Sequence, residues 1–423
     1  MVKSDDKEVV ITGVGPVTSV GIGAKALWEA LAAGQANLAR RRLPVDLGRF
    51  VELPIAGMPP CVEIPAAKSH LAFLSEQDCD CYRDLGYTLL AIELALADAG
   101  LSYDRENNRV GMVQAFEAPG VEHTVTQLLG MMAGPMPTDG PPPVYDCLAP
   151  SFYNMQPFLY LHLVGKAFGL HGFCTSVHNA CSSGAFALEV ATQQIRSGRS
   201  DAILVVGGEA FDTAVRLEWF RRLSLYAEDG QMRPFDTTSS GFYVGEGAGA
   251  IVLESASHAR KRGADPYAVY LGGGFSQQGW KQAIPDVRAA RLRDVIVEAL
   301  TATGVSAADL DLIVPHGAST LLSDGYEASC LTEALAGEAK KAVATTFKPY
   351  VGHMLAASTI IDTVCIALSM KHQTVPATLR SGAGSGSLPV PLSVERMERK
   401  VDTVLKLSTG FTGHDAASLF GRV

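Results

Sequence analysis

Short apolar runs that alternate with segments of helical period constrain this 423-residue chain more than any other feature. Val9-Val10-Ile11, Val110–Gln114, Ala202–Val206 and Ala248–Glu254 are too apolar for strands with a wet face, so they read as strands buried on both sides. Helical segments at Ala24–Ala33, Tyr87–Ala99 and from Ala185 to Gly198 lie among them. The pattern resumes with strands at Tyr267–Gly272 and Leu310–Val314, helices at Arg288–Thr303, Ser323–Gly337 and Val364–Lys371, and paired strands at Val404–Ser408 and Ala416–Phe420. Strand–helix alternation of this kind predicts an α/β protein in two halves, residues 1–255 and 256–423. No repeat of the primary sequence relates the halves. From Ala118 to Pro150 the chain is broken by Gly134, Pro135 and Gly140-Pro141-Pro142-Pro143, an excursion around a helix at Glu122–Met131, and Ser381–Gly386 reads as a short flexible loop.

Charge and cysteine usage exclude several classes. With 35 basic against 44 acidic residues the formal net charge is −9, and no basic block exceeds Arg40-Arg41-Arg42, which argues against a general nucleic-acid surface. The eight cysteines have no paired zinc spacing; Cys79-Asp80-Cys81 is too tight for a zinc knuckle, and free thiols suit the cytoplasm. A polar start and the lack of a long uncharged apolar stretch predict neither a secretory signal nor a membrane span. Gly13-Val14-Gly15-Pro16 follows a strand but lacks the third glycine of a dinucleotide turn.

Cys181 stands where a strand runs into a helix, in His178-Asn179-Ala180-Cys181-Ser182-Ser183-Gly184. Unpaired N–H groups and the helix dipole at such a start predict a thiol that ionises easily. His316, in Pro315-His316-Gly317, and His353, in Val351-Gly352-His353, each sit in a glycine-bearing turn after a strand-like segment. A Cys/His/His set suits nucleophilic acyl transfer.

Five ordered motifs resemble those of the β-ketoacyl synthases, condensing enzymes of the thiolase superfamily: Asn179–Gly184, Arg233–Asp236 with Gly241–Gly249, His316-Gly317, Lys348 with Gly352-His353, and Gly410–Gly413. The resemblance runs from Val9 to about Phe420. It implies a thiolase-like five-layer αβαβα fold and a dimer, either a homodimer or a heterodimer with a second ketosynthase-like subunit. It also implies the roles. Cys181 takes an acyl group from acyl carrier protein; His316 and His353 hold the thioester carbonyl of malonyl-carrier protein during decarboxylation; the N–H groups of Cys181 and Phe411 form the oxyanion hole. Lys348 orders the histidines with Glu327, Asp324 and Glu327 give structural support, and Thr320 meets the pantetheine arm, with Thr409 and Gly410 in the gate. No metal or other cofactor is implied beyond the carrier's phosphopantetheine. Ala318, Ser239-Ser240, Thr409, Thr412 and Ala356–Thr359 depart from the family pattern. These departures favour a stand-alone type II polyketide or polyene synthase over housekeeping fatty-acid elongation. A non-catalytic chain-length-factor subunit is the alternative, and the retained Cys181 speaks against it. Because a carrier protein is acidic, a basic docking patch is expected among Arg216, Arg221, Arg222, Arg40–Arg42 and Lys68.

Overall fold

The computed structural model describes residues 8–46, 48–79, 82–101, 109–133, 155–379 and 387–423. The Gly134–Pro143 run, Cys81, Cys147 and the Ser381–Gly386 loop lie outside these residues. Ten strands make one continuous path: β1 Val9–Thr18, β2 Val110–Ala115, β3 Cys174–Val177, β4 Ala202–Glu209, β5 Gly247–Ser255, β6 Ala268–Gln277, β7 Leu312–Val314, β8 Val343–Ala344, β9 Thr403–Gly410 and β10 His414–Gly421. Their order is β3-β2-β4-β5-β1-β6-β10-β9-β7-β8. The path reads the same from either end. Outer strands β3, β2 and β4 are parallel, as are β8, β7 and β9, and every pairing between these triplets is antiparallel. The halves join where Val9–Ile11 of β1 pair with Ala268–Tyr270 of β6. The internal duplication that the primary sequence hides is therefore plain in the topology.

Helices complete five layers. Helix α1 (Arg83–Ala99) covers one face of β1, β5 and β4. Helices α2 (Ser183–Arg196) and α5 (Ser358–His372) pack on each other and on strands of both halves, so they form the central layer. Helices α3 (Arg291–Thr303) and α4 (Leu321–Leu335) pack together, and α3 covers β6 and β10. The central helix α5 has no wet face: Ser358 to Met370 is buried throughout, as expected for a helix between two sheets.

Several expectations are corrected. The glycines of Gly13-Val14-Gly15 form no turn, since β1 continues through them with a register shift between Ile11 and Gly13. They admit α1 instead, because a Cβ would stand 2.3 Å from the Ala95 carbonyl at Gly13 and 1.9 Å from that of Ala91 at Gly15. The Ala356–Thr359 substitution leaves close helix packing intact, because the glycines sit on the opposing surfaces. A Cβ on Gly184 would come within 3.0 Å of Thr359 Cβ, and one on Gly249 within 2.9 Å of Ile360 Cγ2. The hairpin of Ala39–Asp46 with Arg49–Ile55 and the helix Pro157–Phe168 carry no strong sequence pattern and were not anticipated. No helix among the described residues is long and apolar enough to cross a membrane.

Candidate active site

Cys181 leaves β3 in a tight turn in which Ala180 adopts a left-handed conformation (φ 49°). The turn is closed by hydrogen bonds from Ser182 N to Asn179 O (3.1 Å), from Ser183 N to Ala180 O (3.0 Å) and from Ser183 Oγ to Ala180 O (2.6 Å). The Cys181 side chain is buried. Burial, reinforced by the Glu117 carboxylate, pushes its thiol well above the ordinary range; Lys348 and the Phe411 N–H pull the other way without prevailing. The expectation of an easily ionised thiol is thus overturned. The desolvation cost of a buried thiolate exceeds what a helix start two residues away returns.

The two histidines come from the other half. His316 lies two residues beyond β7 with its backbone clamped from both sides: the His316 and Gly317 N–H groups donate to the two carboxylate oxygens of Glu327, and the His316 carbonyl accepts from Lys348 Nζ at 2.6 Å. His353 donates its N–H to Tyr243 O (2.8 Å), and its Nδ1 lies 2.8 Å from Ser358 Oγ. The two rings meet edge-on with centroids 5.3 Å apart, and Phe242 abuts His353 at 4.9 Å. Burial first, then the Lys348 charge, holds both imidazoles well below the usual histidine range, so both are neutral at physiological pH.

Behind them sits a charged cluster that the sequence did not reveal. Lys348 Nζ and Lys406 Nζ, both fully buried, share Asp362 Oδ2 at 3.4 and 2.7 Å. Lys406 also donates to Pro315 O at 3.4 Å and is lowered by burial to about 8, whereas the two lysines hold Asp362 below the usual carboxylate range. The expected ionic partner of Lys348, Glu327, is instead taken up by backbone N–H groups. Asp362 on α5 and Lys406 on β9 read in sequence as single charges within apolar elements, and a charge in a buried element was the available signal.

Cys181, His316, His353, Thr320, Thr409, Gly410 and Phe411 line one cavity; Lys348, Glu327 and Asp324 stand behind it. Asp324 accepts from Phe235 N (2.7 Å) and Thr320 N (3.4 Å), tying the central motif to the start of α4, and burial raises it to about 7. Thr320 Oγ1 is buried beside the cavity with no partner. At the gate, Phe411 packs edge-on against Trp219 at 5.2 Å. Thr412 adopts φ 63°, held by its N–H on Gln282 O (2.5 Å) and by Gln277 Nε2 on its carbonyl (2.8 Å). A Cβ on Gly410 would stand 3.3 Å from Cys181 N, so the gate presses directly on the nucleophile turn.

Three of the basic residues expected at a docking patch are engaged by carboxylates, whereas Arg40, Arg42, Arg222 and Lys68 are exposed. Arg216 is buried on Glu209 (3.2 Å) and Glu122 (3.7 Å), and Arg41 pairs with the buried Glu246 at 2.6 Å. Arg221 is tied to Glu218 and Glu228. No group of three or more His, Cys, Asp or Glu side chains among the described residues is arranged to hold a metal ion.

The family model for the β-ketoacyl synthase N-terminal domain matches residues 6–259, and that for the β-ketoacyl synthase C-terminal domain matches residues 267–381. A Streptomyces halstedii relative provisionally named polyketide β-ketoacyl synthase 1 is 28% identical, with 97% of each chain covered. The 3-oxoacyl-[acyl-carrier-protein] synthase 2 of Coxiella burnetii is 27% identical over 99% of each chain. The crystal structure of a β-ketoacyl synthase from Burkholderia phymatum superposes with a TM-score of 0.82 at 26% identity, covering 98% of this chain and 99% of its own.

Proposed function

The chain belongs to the β-ketoacyl synthase family, and on that premise we propose that Cys181, His316 and His353 carry out a decarboxylative condensation on carrier-bound thioesters. The observation that supports this most is the meeting of Cys181, from one half, with two neutral imidazoles from the other at a single cavity. In the first step Cys181 Sγ attacks an acyl-carrier-protein thioester. A new C–S bond forms, the old one breaks, and the thiol proton leaves with the departing pantetheine thiol. Because the resting thiol is neutral, its proton is lost only as the thioester arrives. The N–H groups of Cys181 and Phe411 receive the oxyanion.

Malonyl-carrier protein then enters. Its C–CO₂ bond breaks, and the electron pair becomes an enolate whose oxygen accepts hydrogen bonds from His316 and His353. A Ser358 hydroxyl donated to His353 Nδ1 would place the ring proton of His353 on Nε2, the tautomer this role requires. Neutral imidazoles suit this task, since each donates a hydrogen bond without protonating the carbon nucleophile. The enolate carbon attacks the acyl carbonyl, the C–S bond to Cys181 breaks, and the released thiolate takes up one proton from solvent to restore the neutral thiol. Lys348, Asp362 and Glu327 act as positioning residues on the His316 turn. Thr320 contacts the pantetheine arm, and Thr409 and Gly410 belong to the gate.

Residues 1–255 and 256–423 are read as the two halves of a cytoplasmic, dimeric enzyme that needs no metal. The second subunit is either a copy of this chain or a ketosynthase-like partner. The pathway is read as type II polyketide or polyene synthesis, supported by Thr409 and Thr412 at the gate and by the Streptomyces halstedii relative. Intact-protein mass spectrometry with acyl- and malonyl-carrier protein tests the reading. A Cys181 acyl adduct, CO₂ release and a β-ketoacyl product are expected; absence of the adduct from the protein and its dimeric complexes contradicts it.

A further inference from the structure

Three parallel strands of the N-terminal half, β3, β2 and β4, lie side by side with their carboxyl ends at one edge. Ligands of open α/β sheets sit outside such ends. Cys181 follows β3, Glu117 follows β2, and Glu209 is the last residue of β4. The condensation described above uses Cys181 and leaves both carboxyl groups without a task. Around them, Glu117, Glu122 and Glu209 face a single guanidinium, that of Arg216, which pairs with Glu209 at 3.2 Å and Glu122 at 3.7 Å. Glu209 is only 3% exposed, yet its Oε1 has no hydrogen-bond partner. Oε2 of Glu117 is likewise out of solvent contact and unpartnered. Buried carboxyl oxygens without partners are rare because each forfeits its hydration. Strand pairing brings them near the acyl attachment point: β2 pairs with β3 through Ala115 opposite Val177 and with β4 through Gln114 opposite Val206, so Glu117, Glu209 and Cys181 leave neighbouring strand ends. The cluster holds no metal-binding arrangement among the described residues.

We infer that the acyl chain loaded on Cys181 bears a hydrogen-bonding oxygen or nitrogen group that reaches Glu117 and Glu209, in preference to a plain hydrocarbon chain. This rests on the reading of Cys181 as the acyl acceptor. The pair offers both polarities. Glu209, raised to about 8 by burial, keeps its proton near neutral pH and donates to a carbonyl or hydroxyl oxygen. Glu117 accepts from a hydroxyl or an N–H group through its unpartnered oxygen.

The test is single-turnover acylation of the full-length protein by pantetheine thioesters of matched length, read by intact mass. The chains are saturated hydrocarbon or carry one oxo, hydroxy or amino group at successive carbons. At least one polar chain should acylate Cys181 faster than its hydrocarbon match by about tenfold or more, and that chain identifies the group. Glu117→Ala should remove the advantage, read as the ratio of polar to hydrocarbon loading within the variant so that any change in Cys181 reactivity cancels, with thermal melting confirming that the variant is folded. Hydrocarbon chains loading as fast as every polar one overturn the inference and leave the condensation reading intact. Loading by no thioester at all overturns the condensation reading and this inference with it.

Discussion

Glu117 and His316 occupy matching places, each two residues beyond equivalent strands β2 and β7. Cys181 and Lys348 match in the same way, four residues beyond β3 and β8. One strand order thus presents side chains of different chemistry at the two sets of carboxyl ends. The N-terminal set gathers three carboxyl groups around Arg216, and burial raises Glu209 and Glu117. The C-terminal set places two buried lysines on Asp362 behind two neutral imidazoles. The difference shows how a duplicated frame divides labour. The topology delivers strand ends to a shared cavity, where burial first and the charge behind each end second set the protonation state of what is delivered there.

Removing the counter-charge of the C-terminal cluster should have the largest effect on stability. Asp362→Asn leaves two buried lysines sharing no carboxylate and should cost about 3–5 kcal/mol in urea unfolding. A loss below about 1 kcal/mol would show that the cluster is hydrated, contrary to its burial.

A second experiment sets the N-terminal cluster apart by its pH dependence. The folded state holds the Glu209 proton up to about 8, against 4.5 for the unperturbed group. In that window the native state binds the extra proton, so stability falls as pH rises. Asp362 works in the opposite sense: its lowered value gives stability that is present above the ordinary carboxylate pKa and lost as pH falls. Glu209→Gln should therefore gain in melting temperature relative to the parent as pH rises from about 5 to 8. A constant difference between the two proteins across that range would contradict the assignment.

The smallest effect concerns the gate. Thr412→Gly releases a β-branched residue from a left-handed conformation and should stabilise the protein by about 1 kcal/mol in the same urea assay. Destabilisation would mean that the Thr412 hydroxyl, which donates to Phe411 O at 2.6 Å, outweighs the backbone strain.

Much of this was legible in the sequence wherever one element carried the signal. The buried strands β4 and β5 announced themselves by uninterrupted apolar runs, and Cys181, His316 and His353 by their turns. What escaped depends on elements distant in sequence. Lys406 and Asp362 gain meaning only because β9 passes beneath α5, and Arg216 looked like a surface charge until Glu209 and Glu122 enclosed it. The ionisation of Cys181 was misjudged for the same reason: its helix is local, but the burial and the Glu117 carboxylate that oppose it are not.

The division of labour itself is tested by separating the two half-reactions. Cys181→Ala, His316→Ala and His353→Ala are each incubated with acyl-carrier protein and, separately, with malonyl-carrier protein, while adduct mass and CO₂ are recorded. The account predicts that Cys181→Ala forms no adduct and makes no product, whereas the histidine variants still acquire the acyl mass and lose CO₂ release by roughly two to three orders of magnitude. Histidine variants that fail to acylate yet still release CO₂ would contradict it.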